Sequence, residues 1–476
     1  MEELREHGVF WLPWDEDKTL TGELIFDHEH GTRLTVIGSF DLSAEYEVSN
    51  LPRILGVIGP KRVTLHECTV RASKHISSGI TQQTFRAQYL LLGNELNPDD
   101  DAEFDCTYVV FEHLNAWLQR GGFEVQNLFD NNRFKGLVVA FKTPASQIDC
   151  FSRGELAIHT TFSSPPQPIT SEATITKLDY FYISYSQRTG LDDLLSDVER
   201  LRGLMVLCLD EDVASTTIRF QRADIPERAI NGRVFEGTMA PFEYRAQPIS
   251  RREPRVLHEH LLPLTVEKLG GLNAVARWLD VAPKYERVLG MILSARAGRA
   301  LYVENRFLNV AGGAEAYHRL AIGGEMIPGQ KFDELRELAV AAMPNGKARS
   351  WLKGRLRYNE PSLERRLIDL ATKTAPATGD LVGDITAWAR TVAGIRNRLV
   401  HISNSNPKEF DSGDLYWLSE SVFAVTRVAL LMECGLSDDA LRRIKESRTV
   451  AGITMFVRDA LRSASQTLNS MKNPAE

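Results

Sequence analysis

Two hydrophobic periods divide the chain. Over residues 8–150 apolar and polar positions mostly alternate, the spacing of half-buried strands. Leu20, Gly22, Leu24 and Phe26 alternate in this way. Asp27-His28-Glu29-His30-Gly31 then reads as a turn, and Leu34, Val36 and Ile37 begin the return strand. Further strands are predicted at 63–70, 85–90, 136–141, 155–160 and 180–185. Between them, 108–118 has helical spacing through Val110, Leu114 and Trp117, ended by Gly121-Gly122. Ser163-Ser164-Pro165-Pro166-Gln167-Pro168 is expected as a loop. Helical spacing returns at 191–209. Residues 221–255, rich in Arg, Pro and Gly and without a clear period, are expected to be a connection.

From about 256 the period is helical nearly throughout. Helices are predicted at 263–279, 284–297, 301–320, 331–343, 349–357, 361–372, 383–402, 413–433 and 437–461, with Pro283, Pro344 and Pro361 at starts or breaks. The fold class expected is α+β. A β-rich domain at 1–220 and a connection at 221–255 precede an all-α helical bundle at 256–465. In the helix at 383–402, Ile385, Trp388, Val392, Ile395, Leu399 and Ile402 form one apolar stripe. Asn397 and His401 fall on the opposite face and Arg396 on its flank. Asp384 is a plausible N-cap, and Asn404-Ser405-Asn406-Pro407 a stop.

Composition narrows the class. At 43% hydrophobic and 25% charged, the 476 residues are those of an ordinary globular chain. No run approaches 18 uncharged apolar residues, so no membrane contact is expected. The acidic start, Met1-Glu2-Glu3-Leu4-Arg5-Glu6-His7, lacks the apolar region of a secretory signal. Five scattered cysteines fit a reducing cytoplasm, the expected location. A net charge of −7 weighs against a non-specific nucleic-acid coat protein. The charge is uneven, however. Lys347, Arg349, Lys353, Arg355, Arg357, Arg365 and Arg366 make one stretch basic, and Arg390, Arg396 and Arg398 add cations with no acid among them. Such a stretch can bind phosphates, or it can be a solvated helix face.

The order Arg396-Asn397-Arg398-Leu399-Val400-His401 combines residue types that suit RNA cleavage. Histidine gives or takes a proton near neutral pH. Arginine offers a planar fork of donors matching phosphate oxygens, and stabilises charge that develops on them. Asparagine orients without titrating. This order, on a late helix, resembles the signature of HEPN-superfamily ribonucleases. The opening Gly8-Val9-Phe10-Trp11-Leu12-Pro13, then Leu20 to Phe26, and later Phe111-Glu112-His113-Leu114-Asn115-Ala116-Trp117 resemble the N-terminal domain of ApeA-like proteins. Those are bacterial anti-phage proteins ending in a HEPN domain. Together the two resemblances span most of the chain.

The resemblance implies an endoribonuclease of abortive infection, with RNA as substrate and tRNA as one candidate. It implies metal-independent attack by the 2′-OH, with no cofactor, leaving a 2′,3′-cyclic phosphate and a 5′-hydroxyl. His401 would be the acid/base, Arg396 the phosphate binder and Asn397 the orienter, with Arg398 a secondary substrate contact. HEPN nucleases build a composite dimer site, and the spacing here agrees with that need. Arg396 and His401 stand about 140° apart on an ideal helix, a poor clamp for one phosphate. A homodimer, or a higher even-numbered oligomer, is therefore expected, together with a phage-derived trigger. In one HEPN subgroup the motif continues His-x-Tyr. Here the run is His401-Ile402-Ser403, so regulation through that tyrosine is not implied.

The competing reading is a non-catalytic HEPN scaffold that holds RNA or a nucleotide and is regulated by its N-terminal domain. Glu315, on the helix at 301–320, could join the site or be a salt-bridge partner. His28-x-His30 and His258-x-His260 lack a third ligand nearby. The stretch 324–331 lacks the Gly-Lys-Ser/Thr of a phosphate loop. Tyr180, Phe181, Tyr182 and Tyr185 are expected to pack in a sheet rather than stack on bases.

Overall fold

Alternation closes the first part of the chain on itself. In the computed structural model, β1 (Leu4–Leu12), β2 (Asp15–Asp27), β3 (Gly31–Ile37), β4 (Asn50–Ile58), β5 (Lys61–Ile76) and β6 (Ile80–Gly93) pair antiparallel in the order β6-β3-β2-β1-β4-β5. β5 then pairs with β6, completing a six-stranded barrel. Alternate residues of β2 and β3 turn inward, and Phe10, Leu24, Phe26, Leu34, Val36, Phe85 and Leu90 fill the interior. Gly8 faces Gly22 across β1 and β2, where a Cβ on Gly8 would overlap the Val57 carbonyl oxygen. The structure describes residues 3–27, 29–40, 50–76, 79–96, 101–164, 173–228, 234–245, 257, 262–297, 301–400 and 410–472.

Beyond β6 the same sheet continues through β14 (Val234–Tyr244), β13 (Ser215–Arg228), β7 (Glu103–Phe111), β12 (Thr176–Gly190), β11 (Gly154–Ser163) and β10 (Gln147–Phe151). The helix α1 (Leu114–Leu118) follows β7, and α2 (Leu191–Leu209) follows β12. Buried Asp197, in the first half of α2, accepts from Tyr185 Oη at 3.1 Å and Arg200 at 2.7 Å, and pairs with Arg153. That carboxylate fastens the helix to β12. A separate hairpin joins β8 (Phe123–Asp130) to β9 (Arg133–Phe141) through Asn131 and Asn132, both at positive φ. Its register places Phe123, Val125 and Phe129 opposite Phe141, Val139 and Phe134. One face of this ribbon is thus apolar and largely exposed.

The chain forms two compact units. The first holds 1–202, 212–259 and 271–280, and the second 203–211, 260–270 and 281–476. The α+β class expected from the periods is the one observed. Several local readings are corrected. Tyr108 to Phe111 belongs to strand β7, and only Leu114–Leu118 is helical. β7 lies inside the sheet with Phe104, Cys106, Val109, Val110 and Phe111 buried, so its apolar run loses the two-residue period and imitates a helix. The expected connection at 221–255 contains the end of β13 and all of β14. Register shifts around Pro226 break their alternation and hide the strands. Most of the expected loop at 163–168 lies outside the described residues.

The helices α3 (Val266–Leu269) and α4 (Leu272–Val281) are separated by Gly270 and Gly271, both at positive φ, where one helix was expected. The second unit holds α3 and then α5 (Glu286–Leu293), α6 (Val303–Ala321), α7 (Gly329–Ala341), α8 (Lys347–Arg355), α9 (Leu363–Val382), α10 (Ile385–Val400), α11 (Ser412–Met432), α12 (Asp438–Glu446) and α13 (Thr454–Lys472). α9 runs through Pro376 instead of stopping near 372. The helix expected at 437–461 breaks at 447–453 and resumes as α13. α11 is long and apolar enough by composition to cross a membrane, but 83% of that window is buried inside the protein.

α11 carries two charges into this interior. Arg427 donates to the carbonyls of Leu207 and Cys208, the last turn of α2, and pairs with Asp210 at 3.2 Å. Arg296 bridges Asp210 at 2.8 Å and Glu420 at 3.0 and 2.8 Å, and Arg306 also pairs with Glu420. Burial pushes the Asp210 carboxyl up, but the Arg296 and Arg427 guanidiniums outweigh it and hold it below the usual carboxylate range. Replacing Arg427 with Ala is expected to cost about 3–5 kcal/mol in denaturant unfolding, because buried carbonyls and part of a carboxylate lose their partner. A loss under about 1 kcal/mol would show that the network does not hold the helical unit together.

Candidate active site

The motif helix α10 is fixed from one side. Asp384 caps it, its carboxylate accepting from the Ala387 N–H at 3.0 Å. Trp388, Val392 and Ile395 are fully buried, and the Trp388 indole N–H donates to Ser421 Oγ on α11 at 2.9 Å. Thr391 Oγ1 meets Ser465 Oγ on α13 at 2.8 Å. Gly394 allows that helix close, since a Cβ there would lie 3.1 Å from Leu468 Cδ1. The opposite face is open. Asn397 and Arg398 are exposed and Arg396 is half-buried on the flank. His401 and Ile402 lie outside the described residues, as do the stop residues 404–407.

Arg396 does not stand alone. Its guanidinium donates to Glu315 Oε2 on α6 at 3.2 Å and to Asn397 Oδ1 at 3.3 Å. The Arg396 side chain keeps 32% of its surface exposed and Glu315 keeps 20%. Glu315 also binds Arg319 at 3.1 Å, one helical turn on. Arg319 pairs with Glu360, and Glu360 takes Arg366 at 2.8 Å. An alternating chain of charges therefore runs from the motif arginine to the start of α9.

That chain ends on a histidine the sequence reading did not single out. Arg366 Nη1 donates to His318 Nδ1 at 3.1 Å, and His318 Nε2 lies 3.1 Å from Asp369 Oδ2. A guanidinium can only donate, so the imidazole is neutral with its proton on Nε2, given to Asp369. Burial is the main influence holding His318 below its usual pKa, with Arg366 adding to it against Asp369. The available signal was two same-face pairs, Glu315 with His318 on α6 and Arg366 with Asp369 on α9, each three residues apart.

Among the described residues no group of three or more His, Cys, Asp or Glu converges as a metal site. His30 pairs instead with Asp27 at 3.1 Å, while His28, His258 and His260 lie outside the described residues. Phe181 and Tyr185 are buried in the sheet, and Tyr180 packs on Tyr108 with ring centroids 4.2 Å apart. The N-terminal unit has its own cleft of about 560 Å³, with Arg71, Arg86 and Tyr244 among its lining. None of the motif residues lines it.

Comparison with known proteins finds two family matches. A model described as ApeA N-terminal domain 1 matches residues 5–277, and one described as Apea-like HEPN matches residues 308–440. No curated protein and no solved structure matches the chain. The second match contains Glu315, His318, Arg366 and Arg396.

The state of His318 makes a pH prediction. Its folded pKa lies below the unfolded value near 6.5, so below that pH the unfolded chain binds more protons. Stability is then lost as the pH falls from about 6.5 toward the folded pKa. Replacing His318 with Gln is expected to flatten the dependence of the melting temperature on pH between about 6.5 and 5. An unchanged dependence would show that His318 already binds its proton in the folded protein.

Proposed function

We propose that this chain, which belongs to the family of ApeA-like proteins with a C-terminal HEPN domain, is an anti-phage endoribonuclease. The observation that carries this reading is the setting of Arg396 and Asn397. They project from a helix whose other face is locked by Trp388, Val392 and Ile395, inside the HEPN-matched region. A guanidinium held on a rigid element and still one-third exposed suits a phosphate.

The reaction proposed needs no metal. His401 takes the proton of the 2′-OH. The 2′-oxygen forms a bond to phosphorus, and the bond from phosphorus to the 5′-oxygen breaks. That oxygen leaves with a proton from an imidazolium, His401 of a second copy supplying the acid. Arg396 neutralises the charge gathering on the phosphoryl oxygens. Asn397 orients the phosphate, and Arg398 contacts the neighbouring backbone. A two-fold dimer supplies both histidines and both arginines to one cleft. Cleavage of host or phage RNA, with tRNA one candidate, would halt phage production at the cell's expense. The N-terminal unit would receive the phage-derived trigger.

One observation favours the non-catalytic alternative. Arg396 already has a carboxylate partner in Glu315, as a purely structural arginine would. Expression of wild type and His401→Ala, with sequencing of RNA 5′-hydroxyl ends, separates the two readings. Loss of a general acid/base is expected to lower new 5′-hydroxyl ends at least about a hundredfold and to relieve growth arrest. Equal fragmentation in both would leave the scaffold reading standing. A monomer in light scattering at working concentration would remove the composite site.

A further inference from the structure

The hairpin of α7 and α8 has no core of its own. Neither helix contributes a buried residue, although each is two turns or longer. Its base is held by Asn359. That residue's carbonyl accepts from the Met326 N–H at 3.1 Å, and its side-chain oxygen accepts from the Ile327 N–H at 3.0 Å. Residues 328–358 therefore leave the bundle as an arm clasped where it starts and ends.

From Leu338 to Asn359 the arm contains no Asp or Glu, on a chain whose net charge is −7. Lys347, Lys353, Arg355 and Arg357 are exposed and enter no ion pair with the described residues. Two large aromatics stand among them, Trp351 at 62% and Tyr358 at 67% exposure. The Arg355 guanidinium lies 5.8 Å from the Trp351 ring centroid, and that of Arg357 lies 5.6 Å from the Tyr358 ring. An ordinary solvated helix face does not need exposed aromatics of this size. Cations interleaved with open rings suit a strand that presents phosphates and unstacked bases together. The arm also begins beside the motif. Glu360, next to the Asn359 clasp, is joined to Arg396 through Arg319 and Glu315.

We propose that residues 328–358 are the arm by which this protein holds RNA, taking unpaired segments rather than duplex. Phosphates lie on Lys347, Lys353, Arg355 and Arg357, and bases stack on Trp351 and Tyr358. This deepens the ribonuclease reading and rests on it for the nature of the ligand.

The test uses the full chain carrying His401→Ala, titrated against a labelled, unstructured oligoribonucleotide at several salt concentrations. Changing the four cations to Gln is expected to flatten the salt dependence by about 0.7 in log–log slope for each one removed. Trp351→Ala is expected to weaken binding roughly ten- to a hundredfold, and Trp351→Phe to retain most of it. Arginine at 353 with lysine at 355, in the double variant Lys353→Arg and Arg355→Lys, keeps the charge and should bind like the parent. Unchanged affinity and salt slope in the four-cation variant would overturn the proposal. So would binding of anionic lipid vesicles that depends on these residues while RNA binding does not. The ribonuclease reading fails separately. Arm-dependent binding without His401-dependent cleavage would leave the arm and remove the nuclease. His401-dependent cleavage that is indifferent to the arm would do the reverse.

Discussion

From Leu418 to Leu431 every residue of α11 is buried, and the two charges in that stretch, Glu420 and Arg427, must find partners inside the protein. An isolated charge in such a place is costly, so each must be matched. The partners come from distant parts of the chain: Asp210, Arg296 and Arg306. Satisfying the two charges thus fixes the end of α5, the first turn of α6 and the segment 203–211 around one axis. α6 is the helix that carries Glu315 about two and a half turns beyond Arg306, and α10 is tied to the same axis through Trp388 and Ser421. The position of the motif arginine is therefore set by a core that contains none of the motif.

A second alternation of sign runs from the partly exposed Arg396 to the buried Arg366. Each member is stabilised by the next, and the partly exposed ones contribute little individually. Their joint effect is geometric. Arg396 is aimed by Glu315, Glu315 is shared with Arg319, and Glu360 is shared between Arg319 and Arg366. Glu315 engages one terminal nitrogen of the Arg396 guanidinium and Asn397 the other, while about a third of the side chain stays exposed. His318 differs in kind, because it is neutral and enclosed. It fits a structural link between α6 and α9.

Much of this was legible in the chain. The change from a two-residue to a helical period marks the passage from sheet to bundle, and Asp384, Trp388, Val392 and Ile395 behave as their spacing says. What escaped notice has physical causes. β7 is covered on both faces, so its strand signal vanished. β13 and β14 carry prolines and bulges, so they resembled a connection. The barrel closes because β6 pairs with both β3 and β5, and no local pattern announces that double pairing. The chain of charges from Arg396 to His318 joins residues up to 81 positions apart, as Glu315 and Arg396 are, and only the fold brings them together.

The β8–β9 ribbon has a consequence of its own. Two strands without a third are marginal in water, and this pair hides little of its apolar face. Its order is borrowed from the tight Asn131-Asn132 turn and from the ring contacts at its root, where Phe141 meets Phe123 and Phe162. Its amide hydrogens should trade with deuterated solvent long before those of the barrel. The ribbon would then be the earliest part of the N-terminal unit to come undone.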